Sequence, residues 1–297
     1  MTGVLGGEHP QAPDPPTAGT GPPTDGPRPP GLVRPRVDRV RPRRRSVSLA
    51  FRLLVPLALF GLWWLLTGTG VVEPTVLSSP PATWDAFWNL LVHGNLLGDL
   101  GISVARAGVG LLIGAGLGLV LGVVVGLFRL GEELIDSSLQ MFRTIPFPAL
   151  IFLFIVWFGI GETAKVALIA LATLFPMYLN ASNGVRNVDR KVVEAARSFG
   201  LEGRRLVRQV IIPLAMPSIL TGLRFSTGVA VIALVFAETI NATTGIGYLA
   251  SQASALQQVP ILVVSIFIYA TLGIVLDLGV RTLERRVMPW RSHLAVR

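Results

Sequence analysis

The 297-residue sequence contains no cysteine, which excludes disulfides, thiol nucleophiles and thiolate metal sites. Its three histidines, at positions 9, 93 and 293, lie far apart and show no metal-ligand spacing. No GxxxxGK(S/T) segment occurs, so the chain has no phosphate-binding loop of its own. We therefore expect neither a catalytic centre nor a bound cofactor or metal in this chain.

Charged residues are also scarce, at 14% of the sequence, whereas soluble domains carry about a quarter. Hydrophobic residues make up 51%, and the mean hydropathy is +0.62. This balance predicts an integral membrane protein. The net charge of +9 is compatible with nucleic-acid binding, but the positions of the charges explain it without nucleic acid, as shown below.

The first 45 residues differ from the rest of the chain. They hold 11 of the 22 prolines and end in the basic run "RPRVDRVRPRRR". Such a segment buries too little apolar surface to order itself, so we expect a disordered tail at 1–45. The first apolar run starts near Leu53, too late for a cleaved signal peptide, and is expected to be a retained helix. A transmembrane domain at 46–291 and a short tail at 292–297 follow.

The transmembrane domain is predicted to be all-α. Crossing a bilayer takes about 20 apolar residues. Six segments qualify, namely 50–68, 103–128, 138–160, 164–182, 214–238 and 261–281. Pro146 and Pro148 are expected to kink the cytoplasmic half of the third span, and "GIGETAK" (159–165) to turn the chain into the fourth.

The distribution of Lys and Arg predicts the orientation of these spans. If the N-terminus is inside, the inner segments 1–50, 128–145, 183–213 and 281–297 hold 22 of the 26 basic residues. The outer segments 69–102 and 239–260 hold none, and the outer turn 161–165 holds only Lys165. Both termini are therefore expected in the cytoplasm, with the basic tail drawn to anionic lipid.

Two outer segments are predicted to carry short helices. In "LSSPPATWDAFWNLLVHG" a helix is expected to start near Ser79 or Pro80, with an interfacial face made by Trp84, Phe87, Trp88 and Leu91. The segment "TTGIGYLA" (243–250) is predicted to be a glycine turn followed by a second short helix, near a surface for an external partner.

The second span carries a regular glycine pattern. The glycines recur every four residues and line one helix face, which allows another helix to approach closely. They are Gly110, Gly114, Gly118, Gly122 and Gly126. Two hypotheses remain open from the sequence: packing inside the bundle, and packing against another subunit.

Charges within membrane spans are costly and often functional, and four of the charged residues in the predicted spans are candidates for such a role. Arg224 lies about 15 Å into the fifth span, at 1.5 Å per residue. Two hypotheses stand for it: attraction of an anionic substrate, or a structural pair with Asp277 near the inner end of the sixth span. Arg106 and Glu238 both lie toward the outer side, and a pairing of these two is a further hypothesis.

The largest inner loop, at 189–217, is predicted to be a helix–glycine–helix. Asp189 is a candidate N-cap, and Gly200 suits the left-handed residue that ends a helix. A second helix is expected to start near Glu202 and to stop at Pro213. Its apolar stripe is Leu206, Val207, Val210 and Ile211. Physical reasoning leaves open whether this loop lies on the membrane surface or docks on a cytoplasmic protein.

The segment "EAARSFG…VIIPLAMP" resembles the EAA loop of ATP-binding-cassette (ABC) importer permeases. That pattern is EAA, three residues, Gly, nine residues and Ile-x-Leu-Pro, and its Leu is replaced here by Ile212, of similar volume. The segments "VLSSPPATWDAF", "RTIPFPALIFLFIVWFG", "ILTGLRFS", "AETINATTGIGYLA" and "GIVLDLGVRTLERRVMPWR" look like further blocks of the nitrate/sulfonate/taurine-type permeases. The resemblance covers about residues 50–291.

The resemblance implies a type I ABC importer permease in the bacterial cytoplasmic membrane, without an ATPase site of its own. Its implied partners are a second permease subunit in a homodimer, ABC ATPase subunits inside, and an extracytoplasmic solute-binding protein. ATPase docking is then expected to involve Glu194, Ala195, Ala196, Arg197, Gly200, Leu201, Arg204, Arg205 and Arg208. Within this set, Glu194 would contact the ATPase groove, the alanines would permit close approach, and Gly200 would make the turn.

The implied substrate is a small anion such as an aliphatic sulfonate, taurine or nitrate. The alternatives are a permease for another small solute and a secondary transporter. A secondary transporter more often shows inverted repeats and intramembrane acidic residues for ion coupling, and neither is clear here. A membrane-anchored enzyme would need a nucleophile or a metal cluster, which the sequence does not offer.

Overall fold

The computed structural model describes residues 45–128 and 145–288, with side chains from residue 54 onward except at position 241. The predicted disordered tail, up to residue 44, and the short tail at 292–297 lie outside the described residues, as does 129–144. The chain divides into two units, 1–53 and 54–297, and the second contains the elements that position the site. Within the described ranges every regular element is a helix.

Ten α-helices are described. In chain order they are α1 (Arg45–Gly68), α2 (Pro80–Val92), α3 (Leu96–Leu127), α4 (Leu150–Phe158), α5 (Glu162–Arg186), α6 (Arg190–Ser198), α7 (Gly203–Leu206), α8 (Ile212–Asn241), α9 (Ile246–Ala255) and α10 (Val259–Val287). A 3₁₀ turn, Phe147–Ala149, leads into α4, and a π turn, Val207–Ile211, joins α7 to α8.

Four helical segments are long and apolar enough to cross a membrane: Leu96–Leu127, Glu162–Arg186, Gly203–Ile240 and Val259–Val287. They correspond to the second, fourth, fifth and sixth predicted spans, which confirms those four. The first and third predicted spans correspond to shorter apolar helices, Leu54–Gly68 and Phe147–Phe158. The start of the third span, up to residue 144, lies outside the described residues.

The centre of the bundle is the packing of α3 against α5, with α8 along both. The glycine stripe of α3 faces α5, where a Cβ atom at Gly118 would lie 3.0 Å from the Cβ of Met177 and 3.1 Å from the backbone nitrogen of Tyr178. At Gly122 the same atom would lie 2.6 Å from the carbonyl oxygen of Tyr178. The stripe thus packs within the chain, because only hydrogen leaves room for the α5 backbone.

The predicted stop at Pro213 is wrong. The helix that begins at Gly203 continues through the proline into α8, as one helical run to Ile240. The π turn provides the physical reason: the N–H of Ile212 bonds to the carbonyl of Val207, five residues back. Proline then occupies the first turn of α8, where a missing N–H costs least.

The two predicted short helices are present, at Pro80–Val92 and Ile246–Ala255, and each starts where the sequence indicated. Ser79 caps α2, and its hydroxyl accepts a hydrogen bond from the N–H of Ala82 at 3.4 Å. Much further along the chain, the turn into α9 passes through Gly245, whose φ of 110° favours glycine. This turn brings the N-terminus of α9 against α3 and α8, where the polar groups of the next section meet.

Candidate functional site

The helix–glycine–helix of the 189–217 loop is built by local capping. The Asp189 carboxylate accepts the N–H of Lys191 at 2.9 Å and starts α6. At the other end, the N–H of Leu201 bonds to the carbonyl of Ala196 and that of Gly200 to Arg197. Gly200 has a φ of 81°, so this is the Schellman arrangement that ends a helix on glycine. The predicted cap and turn are both confirmed.

The loop is exposed, in contrast to the spans from which it projects. No residue of α6 is buried, and Phe199 at its end is 87% exposed. Leu206, at 5% exposure, anchors the second helix to the bundle. In the described part of the chain, no ion pair engages five charged residues of this loop, namely Glu194, Arg197, Arg204, Arg205 and Arg208. Their side chains are therefore available to another molecule.

A second charged group lies at the opposite end of α8, centred on Arg106 of α3. Its guanidinium donates to Glu238 at 2.7 Å and to both carboxylate oxygens of Glu162, at 2.6 and 2.7 Å. It also donates to the carbonyl of Thr244, at 2.7 Å. The Arg106 side chain is only 3% exposed. The two residues that the sequence suggested as a pair, Arg106 and Glu238, are in direct contact.

The carboxylate of Glu238 is fully buried and saturated with donors. It accepts the hydroxyl of Ser103 at 2.7 Å, the backbone N–H of Gly247 at 2.9 Å and the hydroxyl of Tyr269 at 3.2 Å. These donors come from α3, α9 and α10, while Glu238 itself belongs to α8. A buried charge needs such pairing, so the cluster fixes the neighbouring ends of four helices relative to one another.

We call the cluster around Arg106 and Glu238 the outer network, after the side of the membrane predicted for it. The sequence did not reveal several of its members. Glu162 begins α5 and contacts Lys165 at 2.8 Å as well as Arg106, and the Asp99 carboxylate accepts the N–H of Gly245 at 2.8 Å. The i,i+3 spacing of Glu162 and Lys165 was a usable signal. Ser103 and Tyr269 gave none, because only the fold brings them to Glu238.

The third charged group joins α8 to α10. The Arg224 Nε atom lies 2.8 Å from one oxygen of Asp277, and the Nε atom of Arg281 lies 2.7 Å from the other. Arg224 is thus paired with Asp277, but the carboxylate is shared with a second arginine, one turn away on α10. In the described residues, no group of three His, Asp, Glu or Cys side chains has a metal-binding arrangement.

The described part of the chain thus combines four helices of membrane-crossing length with an exposed, capped loop. Comparison with known families is specific. Residues 114–289 match the binding-protein-dependent transport system inner membrane component family. The chain belongs to this family and is a multi-pass inner-membrane permease of an ABC importer. Such a system implies a binding protein and an ATPase as partners, and ATP hydrolysis is not the task of this chain.

Individual proteins of similar sequence are also named as transport permeases. The chain is 47% identical to the aliphatic sulfonates transport permease protein SsuC of Escherichia coli (strain K12), over 80% of this chain and 90% of that protein. It is 41% identical to SsuC of Bacillus subtilis (strain 168), over 86% and 92%. The taurine transport system permease protein TauC of E. coli (strain K12) is 31% identical, over 85% and 93%. An inward-facing structure of the MetNI methionine ABC transporter gives a TM-score of 0.48 at 19% identity, covering 69% of this chain and 98% of that chain.

Proposed function

We propose that this permease carries aliphatic sulfonates, and that it does so as a homodimer of six-span subunits whose EAA-type loop docks on the ATPase. The observation that carries the substrate is the 47% identity to the E. coli SsuC protein across 80% of the chain. Taurine is the second candidate, since TauC is 31% identical over 85% of the chain. Taurine is itself a small organic sulfonate, so both candidates share one anionic group.

The proposed topology places both termini and the 189–217 loop in the cytoplasm. It is supported by the basic residues, 22 of 26 of which fall on that side. The four described spans are compatible with this arrangement, because the loop and the Arg106 network lie near opposite ends of the Gly203–Ile240 run. The type I permease fold with six spans completes the proposal, the first and third spans being the shorter helices.

Docking of the loop on the ATPase is supported by its chemistry. Phe199 offers an exposed aromatic anchor, the kind of residue that dominates binding interfaces. Four exposed arginines lie on the same loop and would complement an acidic groove. The rigid caps at Asp189 and Gly200 reduce the entropy lost on binding, because the helix pair is already formed.

A co-purification experiment tests the docking. The permease is expressed with the ATPase encoded beside it, and the complex is captured through a tag on the permease. We expect Gly200→Pro to abolish capture of the ATPase, because proline cannot adopt the positive φ at this position. Glu194→Ala is expected to weaken it.

The matched control is Asp85→Ala, which removes an exposed carboxylate from the outer helix α2 and should leave ATPase capture unchanged. Equal capture by the wild type and Gly200→Pro would refute docking through this loop. The substrate is tested separately, by uptake of ethanesulfonate and of taurine into vesicles that contain the complex and its binding protein. Uptake of neither, with transport of an uncharged solute, would refute the proposed substrate.

A further inference from the structure

The ion cluster between α8 and α10 carries more positive than negative charge. One carboxylate, Asp277, is shared by Arg224 and Arg281, which leaves a surplus of one positive charge. Both arginines use only Nε in this contact, and among the described residues their terminal amino groups make no hydrogen bond. These side chains are 42% and 56% exposed, so the free donors point away from the packed bundle.

The cluster lies toward the inner end of the fifth and sixth spans. Arg224 is about 18 Å along α8 from Ile212, and Asp277 is about 15 Å from the end of α10 at Val287, at 1.5 Å per residue. Arg281 lies at the inner end of the sixth predicted span. Charged side chains within a span tend to face the protein interior or a water-filled cavity rather than lipid. This tendency favours contact of the face around Arg224 with water or protein.

The surroundings of Arg224 on α8 are also open. Along this helix an exposed stripe runs through Thr221, Phe225, Gly228 and Ile232. A Cβ atom added at Gly228 would meet nothing within 4 Å, so no element of this chain covers the stripe there. A face that is open in one subunit and carries charged side chains within the spans is suited to line a passage.

We infer that Arg224 and Arg281, held by Asp277, form a transit site for a small monovalent anion such as a sulfonate. Guanidinium groups present planar pairs of donors that match the oxygens of such an anion. Asp277 competes with the anion for the same guanidiniums, so binding stays weak enough for release, as passage requires. This inference rests on the proposed anionic substrate and names where in the permease that substrate is held.

The outer network shows how a purely structural ion pair differs. There Arg106 and Glu238 are 3% and 0% exposed, and every oxygen of Glu238 is satisfied by this chain. At the inner cluster, Arg281 is unnecessary for neutralising Asp277, because Arg224 alone balances its charge. A purely structural ion pair would require neither the second arginine nor the free donors.

The test uses the complete complex of permease, ATPase and binding protein in proteoliposomes, with uptake of radiolabelled ethanesulfonate as the readout. For Arg224→Gln we expect uptake to fall about ten-fold or more, the scale of one lost charge-assisted hydrogen bond. The double variant Arg224→Gln/Asp277→Asn restores the wild-type net charge of the cluster without restoring the lost guanidinium, and we expect uptake to stay low. Wild-type uptake in this double variant would overturn the inference, because it would show that only the net charge of the cluster matters.

Arg281→Gln covers the case in which changes at Arg224 prevent folding. It leaves the Arg224–Asp277 pair intact and removes an exposed side chain, so a structural role predicts unchanged uptake. We expect a loss of about three-fold or more, with normal ATPase capture. The matched control, Arg285→Gln, removes an exposed arginine one turn further along α10 and should leave uptake unchanged.

The outcomes separate the two proposals. Wild-type rates in Arg281→Gln would overturn the transit site while leaving sulfonate transport in place. No ethanesulfonate or taurine uptake by the wild-type complex, together with transport of an uncharged solute, would overturn the proposed substrate and the transit site with it.

Discussion

The outer network and the 189–217 loop use charge in opposite ways. Arg106 and Glu238 are buried, and the groups of this chain satisfy them at 2.6–3.2 Å. Glu194 and the arginines of the loop are unpaired among the described residues, on helices that bury almost nothing. The same residue types therefore hold helices together in one region and are exposed to another molecule in the other.

This difference indicates where the molecule tolerates change. A buried ion pair is costly to break because removal of one partner leaves the other charge without solvent. An exposed, unpaired charge contributes little to the fold, so selection on it acts through whatever it contacts. Substitutions in the two regions should thus separate stability from association, and three substitutions test this separation in order of decreasing effect on stability.

The largest loss is expected for Arg106→Met. Glu238 and Glu162 lose their guanidinium partner, and Glu238 has no access to water. We expect the free energy of unfolding to fall by about 3–5 kcal/mol, measured by SDS titration in mixed micelles. Glu162→Gln, at a side chain 59% exposed, should cost about 1 kcal/mol or less. Equal losses for both variants would contradict the role assigned to burial.

An intermediate loss is expected for Gly118→Ala. The added methyl group meets Met177 and the backbone at Tyr178, so α3 and α5 must separate. We expect a cost of about 1–3 kcal/mol in the same titration. Gly116→Ala is the matched control, since a Cβ there meets nothing within 4 Å and the substitution should be neutral or stabilising. A neutral Gly118→Ala would refute close packing along the stripe.

The smallest effect on stability, and the largest on association, is expected for Phe199→Ala. The side chain is 87% exposed, so the free energy of unfolding should stay within about 0.5 kcal/mol of the wild type. Removal of a central aromatic anchor should weaken ATPase capture about ten-fold or more, as measured by the affinity of the detergent-purified subunits. Unchanged affinity would remove Phe199 from the docking surface.

The features that the sequence predicted are those set by local rules. The caps at Asp189 and Gly200, the start of α2 after Ser79 and the glycine face of α3 each depend on residues within about two turns. Pro213 misled the same reasoning, because a proline normally ends a helix, whereas the preceding π turn shifts the hydrogen-bond register to admit it.

Local rules of this kind could not predict the outer network. Glu238 is separated by 132 residues from Arg106 and by 135 from Ser103, so their contact depends on how five helices assemble. The sequence also did not reveal that two arginines share Asp277. Arg281 belongs to the basic segment 281–297, whose charge was already accounted for by the predicted cytoplasmic side. Periodicity identifies the faces of helices, but it does not state which faces meet.

The unbroken run from Gly203 to Ile240 has a mechanical consequence. At 1.5 Å per residue its 38 residues form a rod about 57 Å long. One end belongs to the exposed loop, and at the other end Glu238 is held by the hydrogen bonds and the ion pair of the outer network. A displacement of the exposed loop would therefore act on the same continuous helix that holds Glu238. The π turn, Val207–Ile211, lies at the loop end of this run.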